Sequence, residues 1–365
     1  MSTLGIGLVG TGFMGKCHAL AWNAVAATFS ETLRPHLVHV AEADSDLAHR
    51  KAAELGFAKA SGDWRALIDD PEVDVISIAA PNPLHAAIAI AALEAGKHVW
   101  CEKPMATTRA DAKAMRDAAA ATGRVAALGY NYIQNPAIRQ MEALVEGGVI
   151  GAINHVRLEM DEDFMADAEA PFAYKNEAHS GYGALDDFAV HPLSLLWRLA
   201  GPVSAVMTYQ SRPYASRSNR PVETHEIATS LLQLASGASG LLVANRAAWG
   251  RKGRIAIQLF GSRGTMLYDQ ERMNEFQLFT RDGPEATQGF RTILSGPIHP
   301  PYDRFVPAPG HGLGFNDLKV VEAHEVMAAI EGKPARIVDF DMGLAIEDTV
   351  HAMARSHAER AWVAV

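Results

Sequence analysis

A short apolar run at residues 4–9 is followed at once by Gly10-Thr11-Gly12-Phe13-Met14-Gly15, and then by a stretch of helical composition from Lys16. Strand, glycine turn and helix in this order leave the fold little freedom, because each glycine answers a separate steric demand. Gly10 permits the tight turn out of the strand. Gly12 has no Cβ, so a pyrophosphate can approach the backbone. Gly15 lets the helix pack closely on the sheet. The helix start, at Thr11, Phe13 and Met14, offers unpaired N–H groups and a partial positive charge to phosphates. A plain glycine turn would use the same residues, but the position between a strand and a helix points to a dinucleotide.

The alternation continues. Strands are expected at residues 36–41, 57–60, 73–79, 97–101 and 125–128, and helices at 45–55, 64–69, 83–94 and 109–122. Gly56, Gly96 and Gly123 stand where helices should stop, and Thr108 with Asp111 three residues on marks a helix start. Six strands joined by helical crossovers predict an α/β fold, a doubly wound parallel Rossmann sheet covered on both faces. The pattern changes near residue 130. After a helix at 138–146, alternating apolar segments at 153–159, 203–210, 227–234, 240–247, 254–260 and 265–268 predict a large, mostly antiparallel open sheet in an α+β domain. Residues 284–313, rich in Pro and Gly, are expected to form a long loop. Helices at 317–331 and 343–359 close the chain. The expected domains are therefore 1–129 and 130–365.

The bulk numbers narrow the class. With 365 residues there is room for two domains, and a formal net charge of −9 argues against nucleic acid and gives no attraction to anionic lipid. No apolar stretch has the length to span a bilayer, and no signal peptide is apparent at the start. Two cysteines, Cys17 and Cys101, allow neither a disulfide framework nor a zinc cysteine cluster, which fits a reducing, cytoplasmic compartment and no metal. An open sheet leaves an apolar face to cover, so a homodimer or homotetramer through the second domain is expected.

The chemistry-bearing residues gather after strand ends, where ligands bind in doubly wound sheets. Glu42 and Asp44 follow the second strand, and either can hold the adenosine ribose hydroxyls. Asp44 equally suits the cap of the next helix. A carboxylate there repels a 2′-phosphate, so NAD is expected over NADP. Pro81, Asn82 and His85 follow the fourth strand and are candidate cofactor contacts, although Pro-Asn-Pro is also good turn chemistry. Glu102 and Lys103 follow the fifth strand as further candidate cofactor contacts, and Pro104 pushes Lys103 toward an extended conformation aimed at the crevice. Asn131 and Tyr132 follow the sixth, as candidate cofactor and substrate contacts.

Taken together, Gly10-x-Gly12-x-x-Gly15, Ala95-Gly96-Lys97-His98-Val99 and Glu102-Lys103-Pro104 resemble the glucose–fructose oxidoreductase / inositol dehydrogenase (Gfo/Idh/MocA) family, over nearly the whole chain. The resemblance implies an NAD(P)-dependent dehydrogenase of sugars or cyclic polyols. It also implies catalytic roles for Lys103 and for the pair Asp187 and His191, which matches the family's Asp-x-x-x-His signature after the glycine turn Gly181-Tyr182-Gly183. Read as residues alone, Asp187 and His191 would lie on one helix face, where a carboxylate orients an imidazole as a general base requires. A helix-start aspartate and a core histidine would look the same.

The implied reaction is oxidation of a secondary hydroxyl of a cyclic polyol or sugar, with His191 as base, Lys103 on the reacting oxygen and Asp187 on a neighbouring hydroxyl or on the imidazole. The resemblance of residues 131–136 and 309–314 to inositol-dehydrogenase-like relatives places an inositol ahead of an aldose. Ile133 stands where many relatives have an arginine, which removes a charged contact there. His311, among glycines at 308–314, belongs either to an ordinary turn or to a loop closing on substrate. Residues 249–253 form a hairpin or an active-site contact. The alternatives are a keto-sugar reductase running the reverse reaction and a non-catalytic NAD-binding sensor; a sensor would need the glycine turn but no acid–base set.

Overall fold

The computed structural model describes residues 3–30 and 33–365. The chain divides into two compact units: residues up to Gln134 with Gly314–Leu344, and Asn135–Leu313 with Ala345–Val365. In the first unit β1 (Thr3–Val9), α1 (Phe13–Thr28), β2 (Arg34–Ala41), α2 (Ser45–Leu55), β3 (Lys59–Ser61), α3 (Arg65–Ile68), β4 (Val75–Ile78), α4 (His85–Glu94), β5 (His98–Cys101), α5 (Arg109–Thr122) and β6 (Ala126–Leu128) alternate. The middle strands are continuous apolar runs because both sheet faces are covered: Ile6, Leu8, Val75, Ile76, Ile78, Val99 and Trp100 are all buried. Gly56 and Gly123 end α2 and α5 in the left-handed conformation, and Thr108 caps α5 by accepting from the Asp111 N–H, as their sequence positions predict.

The second unit contains α6 (Pro136–Glu146), β7 (Ile153–Glu162), α7 (Val190–Ala200), β8 (Val203–Ser211), the short β9 (Ser216–Arg217) and β10 (Arg220–Pro221), then β11 (Ile227–Leu234), β12 (Ser239–Asn245), β13 (Lys252–Gly261), β14 (Gly264–Asp269), β15 (Glu275–Thr280) and β16 (Arg291–Leu294). The chain then supplies α8 (Phe315–Ile330) and β17 (Val338–Asp339) to the first unit, and ends with α9 (Phe340–Glu359) and β18 (Val363–Ala364).

The first sheet has the order β17-β6-β5-β4-β1-β2-β3, parallel except where β17 pairs antiparallel with β6. The second has nine strands in the order β16-β15-β14-β13-β7-β12-β11-β8-β18, antiparallel except for the β7–β12 pair. Along β8 and β11 buried and exposed residues alternate, so one sheet face is packed and the other open.

Two expectations change. A single cut after residue 129 does not describe the chain, because residues 314–344 return to the first unit: α8 packs on α1, and β17 extends the parallel sheet. Residues 284–313 are not one structureless loop, since β16 lies within them and pairs with β15 at the sheet edge. Neither strand was expected. β16 is only four residues long and flanked by Gly and Pro, and a strand that short carries almost no periodic signal. Among the described residues no helix is long and apolar enough to cross a membrane.

Candidate active site

In the first unit the glycine turn is built as its steric demands require. Gly10 has φ +87°, and a Cβ on it would lie 2.6 Å from the Ala79 carbonyl oxygen. A Cβ on Gly15 would collide with the Gly10 carbonyl, so α1 can begin this close to the turn only with glycine there. Gly12 is different, since a Cβ on it would meet nothing within 4 Å. Its exposed backbone at the start of the 16-residue α1 borders open space, and no acidic residue stands in the first helical turn. Phe13 is exposed and Met14 half-buried at this end. This is an arrangement that accepts a phosphate pair.

Glu42 directly follows β2, and its carboxylate accepts from both the N–H and the hydroxyl of Thr11, each at 2.5 Å. It stands beside the glycine turn, where ribose hydroxyls would meet it. Asp44 instead caps α2, accepting from the Leu47 N–H at 2.7 Å, which is the second of the two roles its sequence position allowed. Pro81 is exposed and Asn82 half-buried in the short turn beyond β4. Asn131 is buried, and its side-chain nitrogen has no hydrogen-bond partner among the described residues, so a donor is left over at the carboxyl end of β6. An open cradle, a ribose-height carboxylate and an unpartnered amide together fit a bound NAD.

Two expected cofactor contacts are corrected. His85 is buried, with Nδ1 2.8 Å from the Pro104 carbonyl oxygen and Nε2 2.9 Å from that of Ala80. It ties together the two turns that follow β4 and β5 instead of facing a ligand. Glu102 is buried as well, and its Oε1 accepts from His18 Nε2 at 2.9 Å and from Lys319 Nζ at 2.6 Å. The carboxylate points into the unit because Gly129 leaves room: a Cβ there would lie 2.5 Å from Oε1. Lys103 is half-buried, and its backbone N–H donates to Glu102 Oε2 at 3.3 Å. Tyr132 lies edge-on to Phe315 at 6.0 Å, and Phe315 stacks on Phe13 at 5.9 Å.

In the second unit Asp187 lies in a single π-helical turn, Leu185–Ala189, that leads into α7, and His191 is a buried residue of the first turn of α7. The wider i→i+5 turn alters the one-face relation that an α-helix would impose on residues four apart, and such turns recur at functional sites. Asp187 Oδ2 accepts from Lys175 Nζ at 2.8 Å and lies 3.5 Å from Arg246 Nη1. Arg246 is itself buried and donates from Nε to buried Glu226 at 3.0 Å. Two cations on one carboxylate fix its orientation and leave it a hydrogen-bond acceptor. Asp186 accepts from the Tyr182 N–H and so braces the glycine turn before the helix. His311 is exposed on a loop pinned from within its own unit, where the Tyr302 hydroxyl accepts from His311 and Gly312 N–H and Asn274 holds Leu313 at both backbone atoms.

Sequence reading missed Lys175, Arg246, Lys319, Glu322 and Phe315. Lys319 and Glu322, three residues apart on a helix, look like an ordinary surface ion pair, and nothing local marks them as buried. Arg246 falls inside the alternating segment expected at 240–247, and a charge within such a run is the one available hint.

A family model described as "Oxidoreductase family, NAD-binding Rossmann fold" matches residues 4–176, and one for the GFO/IDH/MocA C-terminal domain matches residues 138–267. Levoglucosan dehydrogenase of Pseudarthrobacter phenanthrenivorans is 35% identical, covering 100% of this chain and 99% of that protein. A solved structure of levoglucosan dehydrogenase in complex with NADH and levoglucosan superposes with TM-score 0.97 at 36% identity and covers both chains in full. An NAD binding oxidoreductase from Klebsiella pneumoniae superposes with TM-score 0.96 at 36% identity, over 100% of this chain and 99% of that one. With its glycine cradle, its two sheets and this end-to-end likeness, the chain belongs to the Gfo/Idh/MocA family of NAD-binding oxidoreductases.

Proposed function

We propose that this protein is an NAD-dependent dehydrogenase that oxidises a secondary hydroxyl of a cyclic polyhydroxylated substrate, with a sugar such as levoglucosan ahead of an inositol. The observation that carries the substrate class is the end-to-end likeness to levoglucosan dehydrogenase. The presence of Lys103, Asp187 and His191 supports catalysis over a sensor role, since binding NAD alone requires none of them.

In this reading His191 takes the proton from the reacting hydroxyl. Lys103 hydrogen-bonds the same oxygen and stabilises its developing charge. Asp187, held by Lys175 and Arg246, accepts a hydrogen bond from a neighbouring hydroxyl and so orients the ring. Tyr132 and His311 are the remaining substrate contacts we assign. Bound NAD supplies the acceptor for the hydride that leaves the carbinol carbon. The exposed apolar residues Met207, Tyr209 and Leu231 on the open face of β8 and β11 support a homodimer or homotetramer through that face, which sedimentation would measure.

The test is reduced-cofactor absorbance with NAD or NADP and a panel of levoglucosan, glucose and myo-inositol. Turnover with NAD is expected. Tight NADH binding with no turnover of any member would refute the enzyme reading. His191→Ala should lower kcat by about 10²–10⁴-fold while NADH affinity stays within about threefold; retained turnover would remove it as the base.

A further inference from the structure

We infer that Lys319 is a positioning residue for hydride transfer, which acts through the Glu102 carboxylate to hold the turn that carries Lys103. The inference rests on the role given to Lys103 above.

The geometry lies wholly inside the first unit and joins four of its elements. His18 of α1 bonds Ser77 of β4 through Nδ1 at 2.7 Å and Glu102, at the end of β5, through Nε2 at 2.9 Å. Because a carboxylate only accepts, Nε2 carries the proton and Ser77 donates to Nδ1. Lys319 of α8 donates to Glu102 Oε1 at 2.6 Å and to Glu322 Oε2 at 2.8 Å. Lys319 and His18 are fully buried, and Trp100 backs them both: the His18 ring stacks on it at 3.8 Å and Lys319 Nζ lies 5.1 Å from its centroid.

Burial alone would strip the charge from each member. Against that pressure, Glu102 and Glu322 raise the Lys319 ammonium above the usual lysine range, while Lys319 and His18 hold Glu102 well below the usual carboxylate range. A buried ion pair adds little stability that well-packed apolar groups would not also supply. What it does supply is a fixed direction, and Glu102 passes that direction on. It is covalently next to Lys103 and accepts the Lys103 backbone N–H, while His85 holds the Pro104 carbonyl from the other side. A displacement of about 1 Å in a group on the reacting oxygen costs on the order of 10²-fold in rate.

Two variants test this: Lys319→Met, and Glu102→Gln/Lys319→Met, which removes both charges of the Glu102–Lys319 pair together. The readouts are kcat and KM for levoglucosan, the isotope effect on kcat with carbon-deuterated levoglucosan, NADH affinity by fluorescence, and thermal unfolding. We expect the double variant to fold, to bind NADH within about threefold of the parent, and to lose about 10- to 100-fold in kcat with an enlarged isotope effect. A smaller fraction of folded protein would change neither the isotope effect nor the affinity. A folded variant with kcat within twofold of the parent overturns the inference, and failure of both variants to fold assigns the cluster to stability alone and overturns it too. Lys103→Ala is the control: if it retains turnover, or if the parent turns over no member of the levoglucosan, glucose and myo-inositol panel, the functional reading fails and the inference falls with it. Loss in Lys103→Ala without loss in the double variant sinks the inference only.

Discussion

Glu322→Gln gives the most quantitative check on the buried cluster of the first unit. Burial and the nearby Glu102 charge push the Glu322 carboxyl up to about 7, against an ordinary 4.5, although Lys319 pulls the other way. One ammonium faces two carboxylates here. Glu102 also holds His18 and the Lys103 N–H, so it keeps the charge and Glu322 keeps the proton. A carboxyl whose folded value is raised contributes stability that is fully present below its unfolded value and is lost as pH rises through the folded one. The window therefore runs from about pH 4.5 to about pH 7. At about 1.4 kcal/mol per pH unit, the whole loss is roughly 3 kcal/mol, of which roughly 2 to 3 kcal/mol falls between pH 5 and pH 8. Glutamine copies the protonated form and can still accept from Lys319, so the variant lacks this slope.

His18, pushed down by burial to about 4, has the opposite sign: its contribution is present above its ordinary 6.5 and is lost as pH falls through about 4. That term is common to both proteins and cancels in the difference. The assay is urea unfolding of parent and Glu322→Gln at steps from pH 5 to pH 8. The stability of the parent relative to the variant should fall steadily with pH. A difference flat to within about 0.5 kcal/mol, or one that rises with pH, would show Glu322 ionised in the fold and refute the reasoning.

Three further outcomes are expected. Arg246→Met strands the buried Glu226 charge and should cost about 3–5 kcal/mol in urea unfolding; adding Glu226→Gln should recover at least half, and equal losses in the single and double variants would deny the pairing. Gly15→Ala forces a methyl against the Gly10 carbonyl and should weaken NADH binding at least tenfold in a fluorescence titration, a loss of about 1.4 kcal/mol or more, so unchanged affinity would mean the turn yields freely. Glu42→Ala removes the carboxylate beside the glycine turn and should narrow the preference for NAD over NADP in kcat/KM; an unaltered ratio would assign the discrimination to another group.

Much of the site is written locally. The three glycines, the strand-end positions of Glu42, Asn82, Lys103 and Asn131, and the Asp187-to-His191 spacing can all be read from short windows, because a turn conformation or a strand end is decided by a few neighbouring residues. Misplacements followed from the same locality. His85 and Glu102 stand at ligand-facing sequence positions, yet both turn inward. Which way a side chain points was settled by partners 5 to 217 residues away, Ala80 and Pro104 for the histidine, His18 and Lys319 for the glutamate.

By itself the sequence determined the class of the chain: two sheets of different kind and a dinucleotide cradle after the first strand. Periodicity, glycine stereochemistry and composition are properties of short segments, and they survive without knowledge of the fold. Only the tertiary structure decided that residues 314–344 come back to the cradle unit, that Lys319 and Glu322 are buried there, and that Asp187 is held by Lys175 and Arg246. Those choices depend on which distant side chains share one desolvated space. There, burial costs a charge enough that only a well-placed partner can hold it.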